Sequence, residues 1–325
     1  MPSTSDAPAA FSDGWILDQR PAGNQVDPHR PYACMVEPEC SVNGAIEDVA
    51  TIFLTNAECP FRCLMCDLWK NTTTERVQPG MIAEQIRWAL EQLPPAKHIK
   101  LYNSGNFFDP HAIPPEDYQE IAEFVSGFDT VIVESHPRMI GRRCLTFNEM
   151  LPGDLHVAMG LETVHPDVLP RLNKRMTLDD FRDAVGTLRT NRMQARAFIL
   201  LRPPFLSEDE GLLWARRSID FAFDAGVECC AVIPTRSGNG AMEVLAARGE
   251  FHPPSLESLE AVLEYGLTLG RGRVLVDLWD AERFVTDTPD ATERIERLRQ
   301  MNLTQSIVPP TEQRVVSDDH ATRNM

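Results

Sequence analysis

Residues 49–69 read VATIFLTNAECPFRCLMCDLW, and the fold is decided by what this stretch can form. Residues 49–54 are nearly unbroken apolar, the pattern of a strand buried on both faces. A polar elbow follows at 55–58, and then Cys59, Cys63 and Cys66 stand at C-x3-C-x2-C spacing. Three thiolates on one tight loop can hold three irons of a 4Fe–4S cube and leave the fourth without a protein ligand. An iron left open in that way can bind a small molecule. The competing reading is a zinc knuckle, which needs four ligands. The nearest histidines, His98 and His111, lie more than thirty positions beyond Cys66, and no fourth cysteine follows at finger spacing, so the loop favours iron–sulfur.

Downstream, strands alternate with helices. An amphipathic helix is predicted from Met81, with Ile82, Ile86, Ala89, Leu90 and Leu93 on one face and Pro94–Pro95 as its stop. Apolar strands are predicted at 98–103, 130–135, 155–161, 194–201 and 227–233. Helices fall between them, near 114–126, 143–150, 179–188 and 208–223. Nearly continuous apolar strands separated by helices mean a parallel sheet with helices outside. Six such units predict an open (β/α)6 barrel, a partial TIM barrel, over residues 45–284. A further helix (259–269) and strand (273–279) form its C-terminal addition. Residues 1–44 read as an irregular extension that can lie over the barrel as a lid, and residues 285–325 as a polar tail.

With 43% hydrophobic and 24% charged residues, the 325-residue chain has an ordinary globular composition. No apolar run reaches the roughly 18 residues of a membrane span, and the N-terminus lacks the basic and apolar regions of a signal peptide. Eight cysteines, three on one loop and Cys229–Cys230 adjacent, do not make a secreted disulfide framework, so a cytoplasmic location is expected. Cys34 and Cys40 read as unpartnered thiols rather than an auxiliary metal site. Thirty-one basic against 48 acidic residues leave a net charge of −17. That field disfavours a nucleic-acid partner and favours a small-molecule substrate.

The cysteine spacing on a loop after a buried strand resembles the radical S-adenosylmethionine (SAM) superfamily. Other stretches follow the resemblance over about residues 47–260. SGNFFD (104–109) is similar to the S-G-x-F-x-D stretch of the Elongator-subunit and archaeosine-lyase branch, and RPPFL (202–206) to its K-P-P-F-L. VESHP (133–137) resembles the strand-three segment of oxygen-independent coproporphyrinogen oxidases. GLET, followed by a lysine twelve residues after Glu162, resembles the G-x-Q/E…Arg/Lys pattern shared with methylthiotransferases.

The resemblance implies a 4Fe–4S cluster on Cys59, Cys63 and Cys66, with SAM at the open iron. Reductive cleavage of SAM would give a 5′-deoxyadenosyl radical for hydrogen abstraction. SAM would meet Ser104, Gly105, Asn106 and Glu134. Glu162 would meet its ribose or ammonium and Lys174 its carboxylate, with Met65 packing on adenine where an aromatic residue is usual. Three residues are candidates for the reaction itself: His136 as a proton carrier or a structural imidazole, Cys230 as a hydrogen-atom donor or an inert core thiol, and Arg236 toward a substrate anion. Arg202 is expected near the pocket. Where coproporphyrinogen oxidases carry an aspartate on strand five, Ala197 stands here. An external one-electron donor of flavodoxin or ferredoxin type is implied. Two other readings stay open: a tRNA- or nucleoside-modifying radical SAM lyase, for which a basic strip of Arg62, Lys70, Arg138, Arg142 and Arg202 would speak, and a metal-stabilised binding protein without turnover.

Overall fold

The computed structural model describes residues 11–284 and 290–310. Eight strands form one sheet in sequential order. They are β1 (Ala33–Cys40), β2 (Ile46–Phe53), β3 (His98–Tyr102), β4 (Thr130–Glu134), β5 (Asp154–Glu162), β6 (Gln194–Leu201), β7 (Cys229–Pro234) and β8 (Arg273–Val276). β1 runs antiparallel to β2, and every later neighbour is parallel. The helices are α1 (Asp13–Asp18), α2 (Met81–Gln92), α3 (Tyr118–Phe124), α4 (Arg142–Met150), α5 (Val168–Arg171), α6 (Leu178–Thr190), α7 (Glu208–Ala225), α8 (Ala241–Ala247), α9 (Leu256–Leu269) and α10 (Ala291–Thr304). Strands β2 to β7 with their helices make the open (β/α)6 partial barrel that the alternation predicts, and α9 with β8 makes the expected addition.

The strands read as apolar because both faces are covered. Leu101, Val133, Val157, Ala197 and Val232 pack under the helices in one continuous core. Helix starts are fixed by side chains. Thr177 and Asp180 form a capping box on α6, and Ser207 and Glu210 form another on α7. Gly226 ends α7 in the left-handed conformation, at φ +97°. Among the described residues no helix is long and apolar enough to cross a membrane.

Both ends carry more structure than their polar composition predicts. The extension contains α1 and the edge strand β1, whose Pro38 is tolerated because an edge strand has a free side. The expected polar tail contains α10, which buries Ile295, Leu298 and Met301; its residues 285–289 and 311–325 lie outside the described residues. α10 also closes the free edge of β8. Asn302 accepts from Val276 N at 2.9 Å and donates to Val276 O at 2.8 Å, and Gln305 does the same to Val274 at 2.8 and 3.0 Å. Two carboxamides thus stand in for a missing neighbour strand.

At the N-terminal ends of the strands, charge crosses the barrel. Glu39 on β1 pairs with Lys100 on β3 and with Arg196 on β6, the latter at 2.6 Å. Arg273 on β8 pairs with Glu228 at 2.6 Å and donates to the Cys40 carbonyl of β1. These bonds bring the two sheet edges together without a backbone ladder. Burial works to raise the Glu39 carboxyl, but Arg196 and Lys100 outweigh it and hold it well below the carboxylate range. His156 lines the same small pocket, and burial, with Arg196 and Arg273 nearby, pushes its imidazole down to about 3.

Glu39→Ala should lower unfolding free energy in urea by about 3–5 kcal/mol, because two buried cations lose their counter-charge; a loss below about 1 kcal/mol would show that the network does not hold the sheet edges. His156 stays neutral in the fold while its unfolded value is 6.5, so its stabilisation is present above pH 6.5 and fades as pH falls toward 3. Below pH 6 it contributes a slope of about 1.4 kcal/mol per pH unit. His156→Gln should remove that part of the acid sensitivity in denaturation series across pH.

Candidate active site

The cysteine loop leaves β2 at the C-terminal end of the sheet, where parallel α/β barrels place their sites. Gln85 on α2 pins its start, accepting from Thr55 N at 2.8 Å and donating to Thr55 O at 2.8 Å. Asparagine side chains from two other connections hold its carbonyls. Asn173 donates to Arg62 O at 2.8 Å, and Asn239 to Leu64 O at 2.8 Å and Cys66 O at 3.1 Å. Leu64 N donates to Leu172 O at 2.9 Å. The loop is therefore clamped from the β5 and β7 sides at once.

The three thiols lie close enough to act on one another. Burial raises Cys59, pushes Cys63 up to about 12 and raises Cys66 further, and each of the latter two is raised again by its neighbours in the triad. Among the described residues no three His, Cys, Asp or Glu side chains converge on one point as ligands of a single ion do. A cube needs no such convergence, since each thiolate takes its own iron corner.

Around the loop the predicted residues gather, with one change of role. Asn106 Nδ2 lies 3.1 Å from Cys59 Sγ, and its Oδ1 accepts from His136 N at 2.6 Å. Asn106 thus donates to Cys59 Sγ, and were that sulfur to hold an iron such a contact would tune its reduction potential. Gly105 lets this connection approach: a Cβ there would stand 3.3 Å from Cys59 Cβ. Ser104, at φ +52°, shares a 3.0 Å hydrogen bond with Tyr32. Burial raises Glu134 to about 7, and its Oε1 accepts from Asn103 N at 2.6 Å and Gly105 N at 3.3 Å, so this carboxylate shapes the 103–105 turn.

Glu162 and Lys174 meet at 2.7 Å, each side chain 9% exposed. The pair sits at a bulge in β5 where Glu162 takes φ +63°. A methyl group at Gly160 would collide with both charged groups, so the glycine is the floor of their cradle. Burial opposes the Lys174 charge, but Glu162 and the neighbouring thiols Cys63 and Cys59 raise its pKa. Met65, half-buried, packs beside Phe205, Leu200 and Ile233.

His136 is fully engaged. Its Nε2 donates to Lys174 O at 2.9 Å, its Nδ1 accepts from Arg138 N at 3.2 Å, and its ring stacks on Phe61 of the cysteine loop at 3.8 Å. Burial and the Lys174 charge push it down to about 3. This is the structural imidazole of the two readings, a pin between the cysteine loop and the Lys174 segment. Cys230 lies in the core under the helices, with Asp220 of α7 in its field. Cys229 is the residue that looks toward Arg196 and Arg273, at the N-terminal end of β7 and away from the cysteine loop. A hydrogen-donor role has no geometric support at either. Arg236 pairs with Asp277 at 2.5 Å, joining the tips of β7 and β8. Arg202 turns to Glu208 at 2.5 Å and Pro253 O at 2.8 Å instead of the pocket. Cys34 and Cys40 are free thiols.

Sequence reading passed over the clamps, and it expected a lid from residues 1–44 without its helix. Asn173 and Asn239 carried a signal, each standing in a connection already singled out, LNK and RSGNG. α1 carried less. Its Ile16 packs on Leu64, Met242 and Leu245, Asp13 accepts from Asn173 at 2.8 Å, and Arg20 pairs with Glu58 at 2.6 Å. The N-terminal segment therefore lies over the cysteine loop.

The donor set fits a cluster with SAM: three thiols on one clamped loop, an amide on one sulfur, and a buried charge pair in a glycine cradle beside them. The chain resembles the radical SAM enzymes. Its fold is that of methylornithine synthase, with a TM-score of 0.53 over 98% of this chain and 90% of that one at 12% identity. It is 27% identical over 241 residues to archaeosine synthase subunit beta of Methanosarcina acetivorans, covering 68% of each chain. A second protein of that name, from Thermococcus kodakarensis, is 28% identical over 211 residues, 62% of this chain and 65% of that one. No protein-family model matches the chain.

Gly160→Ala should destabilise the metal-free protein by about 1–3 kcal/mol through overpacking against the Glu162–Lys174 pair. Urea denaturation reads this directly, and an unchanged midpoint would mean that the pair has room to move.

Proposed function

We propose that this chain is a radical SAM enzyme that holds a 4Fe–4S cluster on Cys59, Cys63 and Cys66 and acts on a small molecule. The observation that carries the reading is the buried Glu162–Lys174 pair, whose lysine lies in the field of both Cys59 and Cys63. When bound, the cluster supplies one-electron reduction of SAM, giving the 5′-deoxyadenosyl radical that abstracts hydrogen from substrate. The chain's own part is to bind and to exclude. Lys174 meets the SAM carboxylate and Glu162 its ammonium, so a zwitterion exchanges one buried ion pair for two. Asn106 donates to Cys59, Ser104 and Gly105 shape the adjoining turn, and Met65 offers a thioether face to adenine. α1 covers the loop and keeps water from the reacting end.

Two observations favour a small substrate over a nucleic acid. The net charge is −17. Of the expected basic strip, Arg62 pairs with Glu58 at 3.0 Å, Arg202 pairs with Glu208 and Lys70 donates to Gly238 O, which leaves Arg138 and Arg142 as its exposed members, too few for a strip around the barrel mouth. A zinc-stabilised binding protein lacks its fourth ligand in this loop.

Anaerobic reconstitution with iron and sulfide should give a brown protein that forms 5′-deoxyadenosine from SAM and dithionite. Cys63→Ala should abolish this, and Lys174→Met should weaken SAM binding by about tenfold or more, in line with a lost charge-assisted bond of at least 1.4 kcal/mol. A colourless zinc protein, or 5′-deoxyadenosine formed equally well by Cys63→Ala, would end the reading.

A further inference from the structure

A cleft of about 680 Å³ opens on the barrel rim between the β3–α3 and β4–α4 connections. Phe108, Tyr118 and Met139 line it together with Arg138, Arg142 and Arg143. All three arginines are exposed. Arg138 donates to Arg175 O at 3.2 Å and feels the carboxylate of Asp180. Arg142 and Arg143 have no carboxylate within ion-pair distance among the described residues. Elsewhere the rim arginines have carboxylate partners, Arg20 and Arg62 sharing Glu58 and Arg175 pairing with Asp13. The cleft is thus a positive island on a molecule of net charge −17.

Its position matters as much as its sign. Arg138 follows two residues after His136, whose ring stacks on Phe61 between Cys59 and Cys63. Phe108, in the cleft wall, follows two residues after Asn106, which donates to Cys59 Sγ. Both walls are therefore joined to the cysteine loop through a single side chain each.

We propose that this arginine cleft docks the acidic face of the one-electron carrier protein that reduces the cluster, an inference that rests on the function proposed above. One electron passes from carrier to cluster, the carrier is oxidised by one electron, and no atom is transferred. The same chain charge that repels a polyanion leaves this contact intact. Screening confines exposed charges to about 8 Å at physiological salt, so a compact carrier feels the island at its docking face.

The test uses the full chain, reconstituted, as wild type and as R142E/R143E, both exposed positions outside the binding machinery. 5′-Deoxyadenosine formation is measured with dithionite and, separately, with reduced flavodoxin as an acidic carrier. The variant should lose about tenfold or more of its flavodoxin-driven rate at low salt while the dithionite-driven rate is unchanged. The wild-type flavodoxin rate should fall with added salt. Equal rates with flavodoxin in wild type and variant, or an equal fall with both reductants, would overturn the proposal. So would tRNA retention lost in the variant without a change in carrier kinetics, which would assign the cleft to RNA. Binding of oxidised flavodoxin to wild type and variant, read by calorimetry, reports docking even if no 5′-deoxyadenosine forms with dithionite, so failure of the docking and failure of the functional reading are told apart.

Discussion

A lysine and a glutamate buried beside the Cys59 and Cys63 thiols constrain everything at the top of this barrel. Two charges taken out of water lose several kcal/mol of hydration each, and they keep their charge only if the pair is tight and its other contacts are met. Here the pair at 2.7 Å is made possible by local backbone choices. A bulge turns Glu162 inward at φ +63°, Gly160 leaves the space, and the 173–175 segment brings Lys174 back over the strand end, with Asn173 and Arg175 both at positive φ. Strained backbone of this kind persists where the surroundings over-determine it. His136 on Lys174 O and Asn173 on Arg62 O supply that determination, and both tie the pair to the cysteine loop.

The opposite end of the barrel uses charge differently. Glu39 reaches Lys100 and Arg196, and Arg273 reaches Glu228 and the Cys40 carbonyl, so ion pairs stitch β1 to β3, β6 and β8. Parallel strands alone would leave an open half-barrel with two raw edges. The network fixes how far the sheet curls, and the Asn302 and Gln305 carboxamides occupy the β8 edge. Curl at the base sets the separation of strand tips at the mouth. The Arg236–Asp277 link between the tips of β7 and β8 depends on it too.

What the sequence made legible follows from the range of each interaction. Strands β2 to β7 were readable because their apolar runs are local signals of two-sided burial. The cysteine triad was readable as a unit because its three thiols stand within eight positions of one another on a single loop. Glu162 and Lys174 were readable as a pair twelve residues apart. β1 was not, because Pro38, Glu37 and Glu39 resemble a loop until the basic partners of Glu39 on distant strands are known. α10 was hidden by the same cause, its Arg297 buried between Glu260 and Glu264 rather than solvated. Cys230 failed for a different reason. Alternation shows that one of two adjacent thiols faces inward but not which, and the register of β7 against β6 and β8 gives that place to Cys229.

The clamps on the cysteine loop carry one last consequence. Gln85 comes from α2 and Asn173 and Asn239 from two later connections, yet all bond backbone of the same short segment. Burial raises all three thiols, Cys63 to about 12, and so favours their neutral form. The hydrogen bonds that shape the loop are made by amide groups that do not titrate. The backbone hydrogen bonds that shape the loop are thus supplied by side chains of the fold, whereas a zinc finger draws its folding energy from the metal. A loop ordered in this way leaves the binding energy of any group it holds for contacts with that group rather than for ordering the chain.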